Sequence, residues 1–544
     1  MVVIRDTREF LQRTFGDQFL SRLEEFSSVI GFSVESDRDS VKVEFNPDRP
    51  DLFSFYSLSE SMNGFYGKEE PAQLVMKDSE VSVHITGDAL SIRPFFLCFV
   101  AEGPELGERL QRVIEYQERL HDTLGRERKN ISAGIHTLEE GQRELTYSLE
   151  MTTKIRMRTF DGELEGTALD ILQNHLTGKK YSSLLPSMER VNAIRDSSGE
   201  VLSIPPIANS FRSRITERSS RMFIDVEGMR ELSVIQAILL LAYEFRSMGY
   251  TISLPAISGI SRETLSSLRK ENLRTIPVKN SEIRGVMGYS LDDGEVESSL
   301  KRMGFSFQRT REGLKVMVPG NRIDVMGPVD IIEDIAKGVG YDRIPYSAIP
   351  PQTLGVPDQI DGFLHTVREV LIGSGFQDVK GYVVGSQIPY SILRYGGGVR
   401  IFNPKSTDFS VIRDRLFPGM MEIIKQNRNR PLPQKIFEIG DIVTDGVQKT
   451  HVCILLHDSH ATFSSVKQIL EYFMNRFSGE EVKIEHRHRD GLVDGRSGDI
   501  FISGTEIGYI GEMHPELLDL YHVETPVSLV EIDLSAFKNL IEAT

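Results

Sequence analysis

Residues 322–345 read RIDVMGPVDIIEDIAKGVGYDRIP, and a proline and a set of acids restrict what they can become. Pro328, two residues before Asp330, predicts a helix start, because proline is tolerated in a first turn where its missing N–H would have no partner. On that helix Asp330, Glu333 and Asp334 stand at i, i+3 and i+4 and share one face. Asp324 arrives from the extended segment before the helix and can fold back toward them. With no basic partner evident in the pattern, four converging carboxylates suit a hard cation, and oxygen-only ligands favour magnesium or calcium over zinc. Spacing leaves a second reading open, since acids in a first turn also answer the helix macrodipole without any metal.

A chain of 544 residues is too long for one domain, and three or four are expected. Its 40% hydrophobic and 26% charged content is that of an ordinary globular protein. The first twenty residues are charged throughout and lack an apolar core segment, so no signal peptide is expected. The most apolar helical run, residues 234–243, is too short to span a bilayer and reads as a buried helix. Cys98 and Cys453 lie far apart, which excludes a disulfide framework and any Cys-based zinc motif and suits a reducing cytoplasm. With 79 acids against 63 bases the net charge is −16, so contact with nucleic acid must come through local basic patches.

The expected fold class is α+β multidomain. Residues 1–85 read as a small α/β unit with helices at 8–15 and 18–31, a strand at 40–45, a turn cluster at 46–51 and a helix at 57–66. Residues 86–265 form a second mixed unit with strands at 96–101 and 223–226 and helices at 106–120 and 233–248. Within it, Ile204-Pro205-Pro206-Ile207 cannot lie inside a central strand or helix, because both prolines lack a donor. Residues 270–347 have the rhythm of a winged-helix-like module, with a helix at 295–303 stopped by Gly304 and a strand at 314–318. A proline-rich linker is expected at 349–352. Residues 358–544 read as antiparallel strands (377–384, 435–442, 451–456) with helices packed on one side, the first helix at 362–374.

No Walker loop, dinucleotide fingerprint, H-E-x-x-H or G-x-S-x-G occurs. His486 and His488 sit among arginines, which opposes metal binding. Residues 211–221 carry Arg212, Arg214, Arg218 and Arg221 against Glu217 alone, a basic patch suited to phosphate or equally a solvated loop. A second basic run, 425–430 with Lys435, is a phosphate contact or an ordinary helix C-terminus. Asp225 is a lone acid in an apolar strand, followed by Glu227. Beside the proline loop with Ser203 and Asn209 it could orient a water or bind an amine, or simply take backbone donors.

Taken together, these segments resemble the β subunit of phenylalanine–tRNA ligase in its shorter archaeal and eukaryotic form. Asn46-Pro47-Asp48-Arg49-Pro50-Asp51-Leu52 and Asn63-Gly64-Phe65 resemble that family's N-terminal domain. Gly125-Arg126-Glu127-Arg128-Lys129, Gly134-Ile135-His136 and the 202–210 stretch resemble its editing domain, and 322–345 its metal-binding module. Phe402-Asn403-Pro404-Lys405, residues 411–419, residues 435–440 and residues 511–516 resemble its non-catalytic, class II synthetase-like antiparallel sheet domain.

The resemblance implies that a partner α subunit activates phenylalanine with ATP and charges tRNA(Phe), so no catalytic residue for aminoacylation is expected here. It implies an (αβ)2 heterotetramer in the cytoplasm and no membrane. It places magnesium on Asp324, Asp330, Glu333 and Asp334. It also implies hydrolytic editing of tyrosyl-tRNA(Phe) in a pocket between the 202–210 loop and the 225–227 strand, using His136, Leu202, Ser203, Asn209, Asp225 and Glu227, with Arg212 and Arg214 on the tRNA end. The family's pattern at that strand runs acid–apolar–Thr–Gly–Thr–Asp, whereas this chain reads Asp225-Val226-Glu227-Gly228-Met229-Arg230, which implies an altered phenol pocket. The alternative reading is a non-enzymatic nucleic-acid-binding or interaction scaffold.

Overall fold

The computed structural model describes residues 2–68, 74–270, 274–346, 348, 354–392, 397–477 and 481–543. The linker expected at 349–352 lies outside the described residues. The chain divides into two compact units, Met1–Ala348 and Ile349–Thr544.

The first unit opens with a strand that the sequence patterns do not predict, Val2–Thr7, which pairs antiparallel with Ser40–Phe45. The helices Arg8–Phe15 and Phe19–Ile30 follow as expected, the first capped by the Thr7 hydroxyl. Among the described residues the largest sheet of this unit has nine strands. From one edge they are Ala208–Asn209, Val201–Ile204, Arg190–Asp196, Glu144–Met151, Met76–Ile85, Thr251–Ser258, Phe95–Glu102, Arg221–Gly228 and Ile131–Thr137. The boundary expected at residue 85 is therefore displaced, because Met76–Ile85 lies in the middle of this sheet, parallel to both its neighbours. Its first half, Met76-Lys77-Asp78-Ser79-Glu80, is half-buried to exposed and polar, which hides a strand from a reading based on apolar alternation.

The helix Glu231–Ser247 lies along this sheet with eleven consecutive or near-consecutive buried residues from Val234 to Phe245. That burial explains its all-round apolar sequence. No described helix is long and apolar enough to cross a membrane. One apolar core runs from the N-terminal strands through this helix into residues 278–339, so the small modules of the unit share an interior.

Residues 274–318 form a three-stranded antiparallel sheet, Arg274–Lys279, Gly313–Val318 and Ser306–Arg309 in that order, with the helices Asn280–Met287 and Asp293–Arg302 between strands. Gly304 adopts φ +83° after Met303 and ends the helix as expected. Pro328 occupies the first turn of Pro328–Val339. That helix packs on Asp293–Arg302 so closely that a Cβ on Gly338 would come within 2.6 Å of the Ser299 Cβ.

The second unit holds a seven-stranded sheet in the order Gln377–Asp378, Gln434–Thr444, Val447–His457, Val527–Asp533, Thr505–Met513, Leu492–Ile502 and Lys483–His486. Only the first pair is parallel. Asp445 and Gly446, both at positive φ, close the tight hairpin between Gln434–Thr444 and Val447–His457.

Two expectations are corrected here. Helices cover both faces, not one. Gln359–Gly373, Phe463–Phe477 and Leu534–Ala543 share a core with Val452, Ile454 and Leu456, while Phe417–Gln426 and Pro515–Leu520 share another with Cys453 and Leu455. A strand apolar at both parities must be buried on both faces. The strand expected over 377–384 also breaks after Asp378, and Val384–Gly385 joins a separate small sheet with Val411–Ile412 and Val399–Arg400.

Candidate functional site

In the first unit a cavity of about 510 Å³ opens between the two edges of the nine-stranded sheet, with the 201–209 hairpin from one edge and Arg221–Gly228 and Ile131–Thr137 from the other. Its floor comes from adjacent strands, with Asp225 opposite Gly134 and Glu227 opposite Ser132. Pro205 and Pro206 form the tip of the hairpin between Val201–Ile204 and Ala208–Asn209, the loop that their missing donors required, and they form one wall with Ser203 and Asn209. The helix Arg109–Asp122 supplies Ile114, Gln117 and Glu118, and the mouth is framed by Phe160, Leu176 and Tyr181.

Arg128 holds the hairpin against this helix. Its guanidinium donates to the Pro206 carbonyl (3.1 Å) and to Glu118 (3.0 Å) and stacks over Tyr181 at 4.5 Å. Burial opposes ionisation of Glu118, but His121 and Arg128 together hold its pKa down at about 2.

Four of the six residues expected in the pocket line it: Ser203, Asn209, Asp225 and Glu227. His136 and Leu202 do not. His136 is fully buried behind the floor, where Nε2 pairs with Asp225 Oδ1 at 2.9 Å and Nδ1 lies 3.3 Å from the Ser213 hydroxyl. Leu202 points into the core, and its carbonyl accepts from Ser213 at 2.7 Å. His136 reaches the cavity only through its pairing with Asp225, and Leu202 only as part of the hairpin. Gly134 makes this packing feasible, since a Cβ there would sit 2.6 Å from both Asp225 Oδ1 and His136 Nε2. The Gly134-Ile135-His136 string is visible in the sequence, but only the strand pairing shows what the glycine leaves room for.

Several buried polar atoms face no protein partner. These are Glu227 Oε1 and Oε2, Asp225 Oδ2 and Ser203 Oγ. Burial pushes the Glu227 pKa up to about 8. Arg93 opposes the rise, Asp225 adds to it, and the Ser132 hydroxyl opposes it without making a well-formed hydrogen bond.

The two arginines expected at a tRNA end differ. Arg214 lines the cavity and stacks on Phe211 at 3.3 Å. Arg212 is half-exposed between Glu200 (3.5 Å) and Glu139 (4.0 Å), and Arg221 pairs with Glu102 at 2.6 Å, so much of the expected basic patch is neutralised.

A second groove, about 580 Å³, lies on the other side of the 125–130 loop, lined by Arg126, Lys129 and Arg230 with Pro47, Pro50 and Ile323. It contains no acidic lining residue. Lys129 lies 3.6 Å from the exposed Glu127, while Arg126 and Arg230 have no ion-pair partner among the described residues. Arg126, Glu127 and Arg128 all adopt positive φ, which turns alternate side chains of one short loop toward the groove and toward the cavity.

The acidic stretch corrects the expectation that it has no basic partner. Arg322 is that partner. It is buried, donates to both oxygens of Asp324 (3.0 and 2.8 Å), pairs with Asp334, and reaches the Met303 carbonyl at 3.2 Å. Arg49, bidentate on Asp51 at 2.9 and 2.8 Å, approaches Asp324 at 4.0 Å. Burial opposes ionisation of Asp324, and Arg322 and Arg49 hold it down at about 2. Asp330 Oδ2 accepts the N–H groups of Met326 (2.7 Å) and Gly327 (2.8 Å), closing the helix start. Glu333 is exposed and pairs with Lys337 at 2.9 Å. As arranged, the four carboxylates serve an ion-pair network and a helix cap and do not fit a magnesium cage.

Among the described residues one group of acids and histidine gathers its ligand atoms within 4.8 Å: Asp161, Glu163 and His175. Both His175 nitrogens are engaged, Nε2 with Asp161 at 2.8 Å and Nδ1 with the Thr177 hydroxyl at 2.8 Å. The group ties the loop carrying Phe160 to the helix carrying Leu176 at the cavity mouth.

A family model described as "tRNA synthetase B5 domain" matches residues 276–341, and one described as "Phenylalanyl tRNA synthetase beta chain CLM domain" matches residues 344–534. The chain is 40% identical to the phenylalanine–tRNA ligase β subunit of Thermoplasma volcanium over 98% of each chain. It is 31% identical to that of Archaeoglobus fulgidus over 97% of each. An N-terminal fragment of the phenylalanyl-tRNA synthetase β subunit from Pyrococcus horikoshii superposes with a TM-score of 0.56 at 25% identity, covering 62% of this chain and 100% of the fragment.

Proposed function

The chain belongs to the phenylalanine–tRNA ligase β-subunit family, and from that premise we propose how its parts divide the work. It serves as the β subunit of an aminoacyl-tRNA ligase and acts in complex with an α subunit that carries the aminoacylation site. Two αβ pairs assemble in the cytoplasm. Magnesium would serve the reaction as a counter-ion to ATP at the partner's site, where it would supply charge neutralisation of the phosphates, and the 324–334 acids would keep their ion-pair and capping roles.

The cavity beside the 201–209 hairpin hydrolyses tyrosine wrongly esterified to tRNA(Phe). Such a site answers a physical need, because a hydrophobic pocket built for phenylalanine rejects an added hydroxyl only weakly. The observation that carries the reading is the cavity itself. It is large enough for an aromatic side chain, apolar along its walls, and ends on Asp225, Glu227 and Ser203 with hydrogen-bonding capacity unused. Ester hydrolysis needs an oriented water and donors for the developing oxyanion. Asn209 on the wall and Arg214 near the mouth supply donors where the ester end would lie.

The 3′ end of the tRNA reaches the cavity past Arg214, and the groove of Arg126, Lys129 and Arg230 holds its phosphates. The test is to purify the αβ complex and follow tyrosyl-tRNA(Phe) in single turnover. We expect deacylation about a hundredfold faster than in buffer. Acceleration absent from a complex that still charges phenylalanine overturns the hydrolytic reading and leaves the ligase reading intact.

A further inference from the structure

We propose that Asp161, Glu163 and His175 form a binding site for a divalent transition ion of the zinc class, which staples together two segments at the cavity mouth. The inference holds whether or not the cavity hydrolyses an ester.

One ligand atom from each residue lies within 4.8 Å of the others, and the residues come from two segments that meet only in the fold. Asp161 and Glu163 belong to the turn after Arg156–Arg158, where Gly162 at φ +80° bends the chain between them. His175 stands at the junction of the helices Ala168–Asn174 and Leu176–Tyr181. It separates this set from an ordinary acidic surface, because it is only 4% exposed and turns Nε2 onto Asp161 Oδ2 at 2.8 Å.

The supporting contacts are those that metal ligands need. Asp161 Oδ1 accepts from the Thr159 hydroxyl (2.6 Å) and the Glu163 N–H (3.1 Å), which leaves Oδ2 facing the imidazole. The Thr177 hydroxyl lies 2.8 Å from His175 Nδ1, in the place of the second partner that orients a metal-ligating imidazole. Glu163 is exposed, and its carboxylate has no ion-pair partner among the described residues. Arg158, the cation of the same turn, is engaged by the Gly162 carbonyl (3.1 Å) and the Phe211 ring (4.5 Å).

The proton balance also closes. Thr177 N–H donates to Nδ1 at 3.3 Å, which places the imidazole proton on Nε2, toward Asp161. An ion entering between Nε2 and Oδ2 displaces that proton to Nδ1, where the Thr177 hydroxyl accepts it. The imidazole stays neutral, and only the long Thr177 N–H contact is given up. One nitrogen with two carboxylate oxygens suits zinc and its neighbours, whereas magnesium favours an all-oxygen shell. Phe160 and Leu176, next in sequence to Asp161 and His175, line the cavity, and the Phe160 ring meets His175 edge-on. An ion here therefore fixes both segments of the mouth.

The test titrates zinc into the αβ complex, first stripped of metal by a chelator, with wild-type, Glu163→Gln or Thr177→Val β subunit. Glu163 is exposed, so its substitution leaves the fold undisturbed. Wild type should bind one zinc per β chain that Glu163→Gln binds at least about tenfold more weakly. Thr177→Val, which removes only the supporting hydroxyl, should weaken the same ion about tenfold. Cobalt(II) in place of zinc should give wild type a visible absorption band that Glu163→Gln loses. Bound zinc should slow amide exchange in residues 159–164 and 175–178. Millimolar magnesium should displace none of the zinc. Equal zinc stoichiometry and affinity in wild type and Glu163→Gln would place the ion elsewhere and overturn the assignment. Displacement by magnesium would overturn it too, as the behaviour of an unspecific acidic surface. A wild-type complex that takes up no zinc overturns it outright.

Discussion

Two sets of acids in the first unit look alike in sequence and have opposite fates in the fold. Buried Asp334 and half-buried Asp324 both pair with Arg322, which is itself buried, and Arg49 approaches Asp324 as a second cation. Asp225 and Glu227 are buried at the end of a cavity, and three of their four carboxyl oxygens have no partner. The first set is saturated, so its role is architectural: it ties the extended 322–324 segment to the helix Pro328–Val339 and, through Arg49, to the N-terminal turn. The second is left open toward space a ligand can enter. What separates the two sets is hydrogen bonding: Arg322 donates to both acids of the first, whereas Arg93 acts on Glu227 only electrostatically and leaves its oxygens without a hydrogen bond.

The sharpest way to break the comparison is to remove that guanidinium. Arg322→Met should destabilise the first unit by about 3–5 kcal/mol, because buried Asp334 and half-buried Asp324 lose their shared counter-ion. Chemical denaturation of the β subunit with and without magnesium measures it. Recovery of the lost stability by millimolar magnesium would show that the carboxylates can form a cation site after all. A destabilisation indifferent to magnesium upholds the ion-pair network.

A smaller effect sharpens the other half. Glu227 has its pKa raised to about 8 in the fold, against an ordinary carboxyl value near 4.5 when unfolded. Between those values the folded protein holds a proton that the unfolded chain has released, so stability falls as pH rises from about 4.5 to 8 and levels off above it. Glu227→Gln carries no titrating proton and should flatten this descent by on the order of a few kcal/mol across the window. Unfolding midpoints of wild type and variant from pH 5 to 9 decide it. Parallel curves would place a hydrogen-bond partner on Glu227 in solution.

How much of this is legible in the sequence depends on whether the signal is local. The helix at Pro328, the stop at Gly304 and the strand at Ser40–Phe45 are readable because caps and alternation act over a few residues. The loop at Pro205-Pro206 is readable because proline lacks a donor. Arg322 stands two residues from Asp324, and its pairing is within reach of sequence reasoning too, since a side chain at i+2 on an extended segment lies on the same face. The cavity's depth is not. It depends on Glu227 facing Ser132 and Asp225 facing Gly134, a pairing of strands some ninety residues apart that nothing local specifies. The same holds for His136, which reads as a lining residue in the sequence and lies behind the floor.

The groove of Arg126, Lys129 and Arg230 should show the smallest effect on the fold and a distinct effect on binding. Its arginines are unpaired surface cations among the described residues, so Arg126→Ala and Arg230→Ala should each shift stability by no more than about 0.5 kcal/mol. If the groove holds phosphates, each substitution should weaken tRNA binding by the αβ complex. Each should also lower the slope of log affinity against log salt by about one for every phosphate no longer neutralised. The effect should be alike for tyrosyl- and phenylalanyl-tRNA, because phosphates carry no information about the amino acid. A double Arg126→Ala, Arg230→Ala variant with an unaltered salt slope would remove the groove from the tRNA path and leave Arg214 and Lys180, which line the cavity, as cations able to hold the tRNA end.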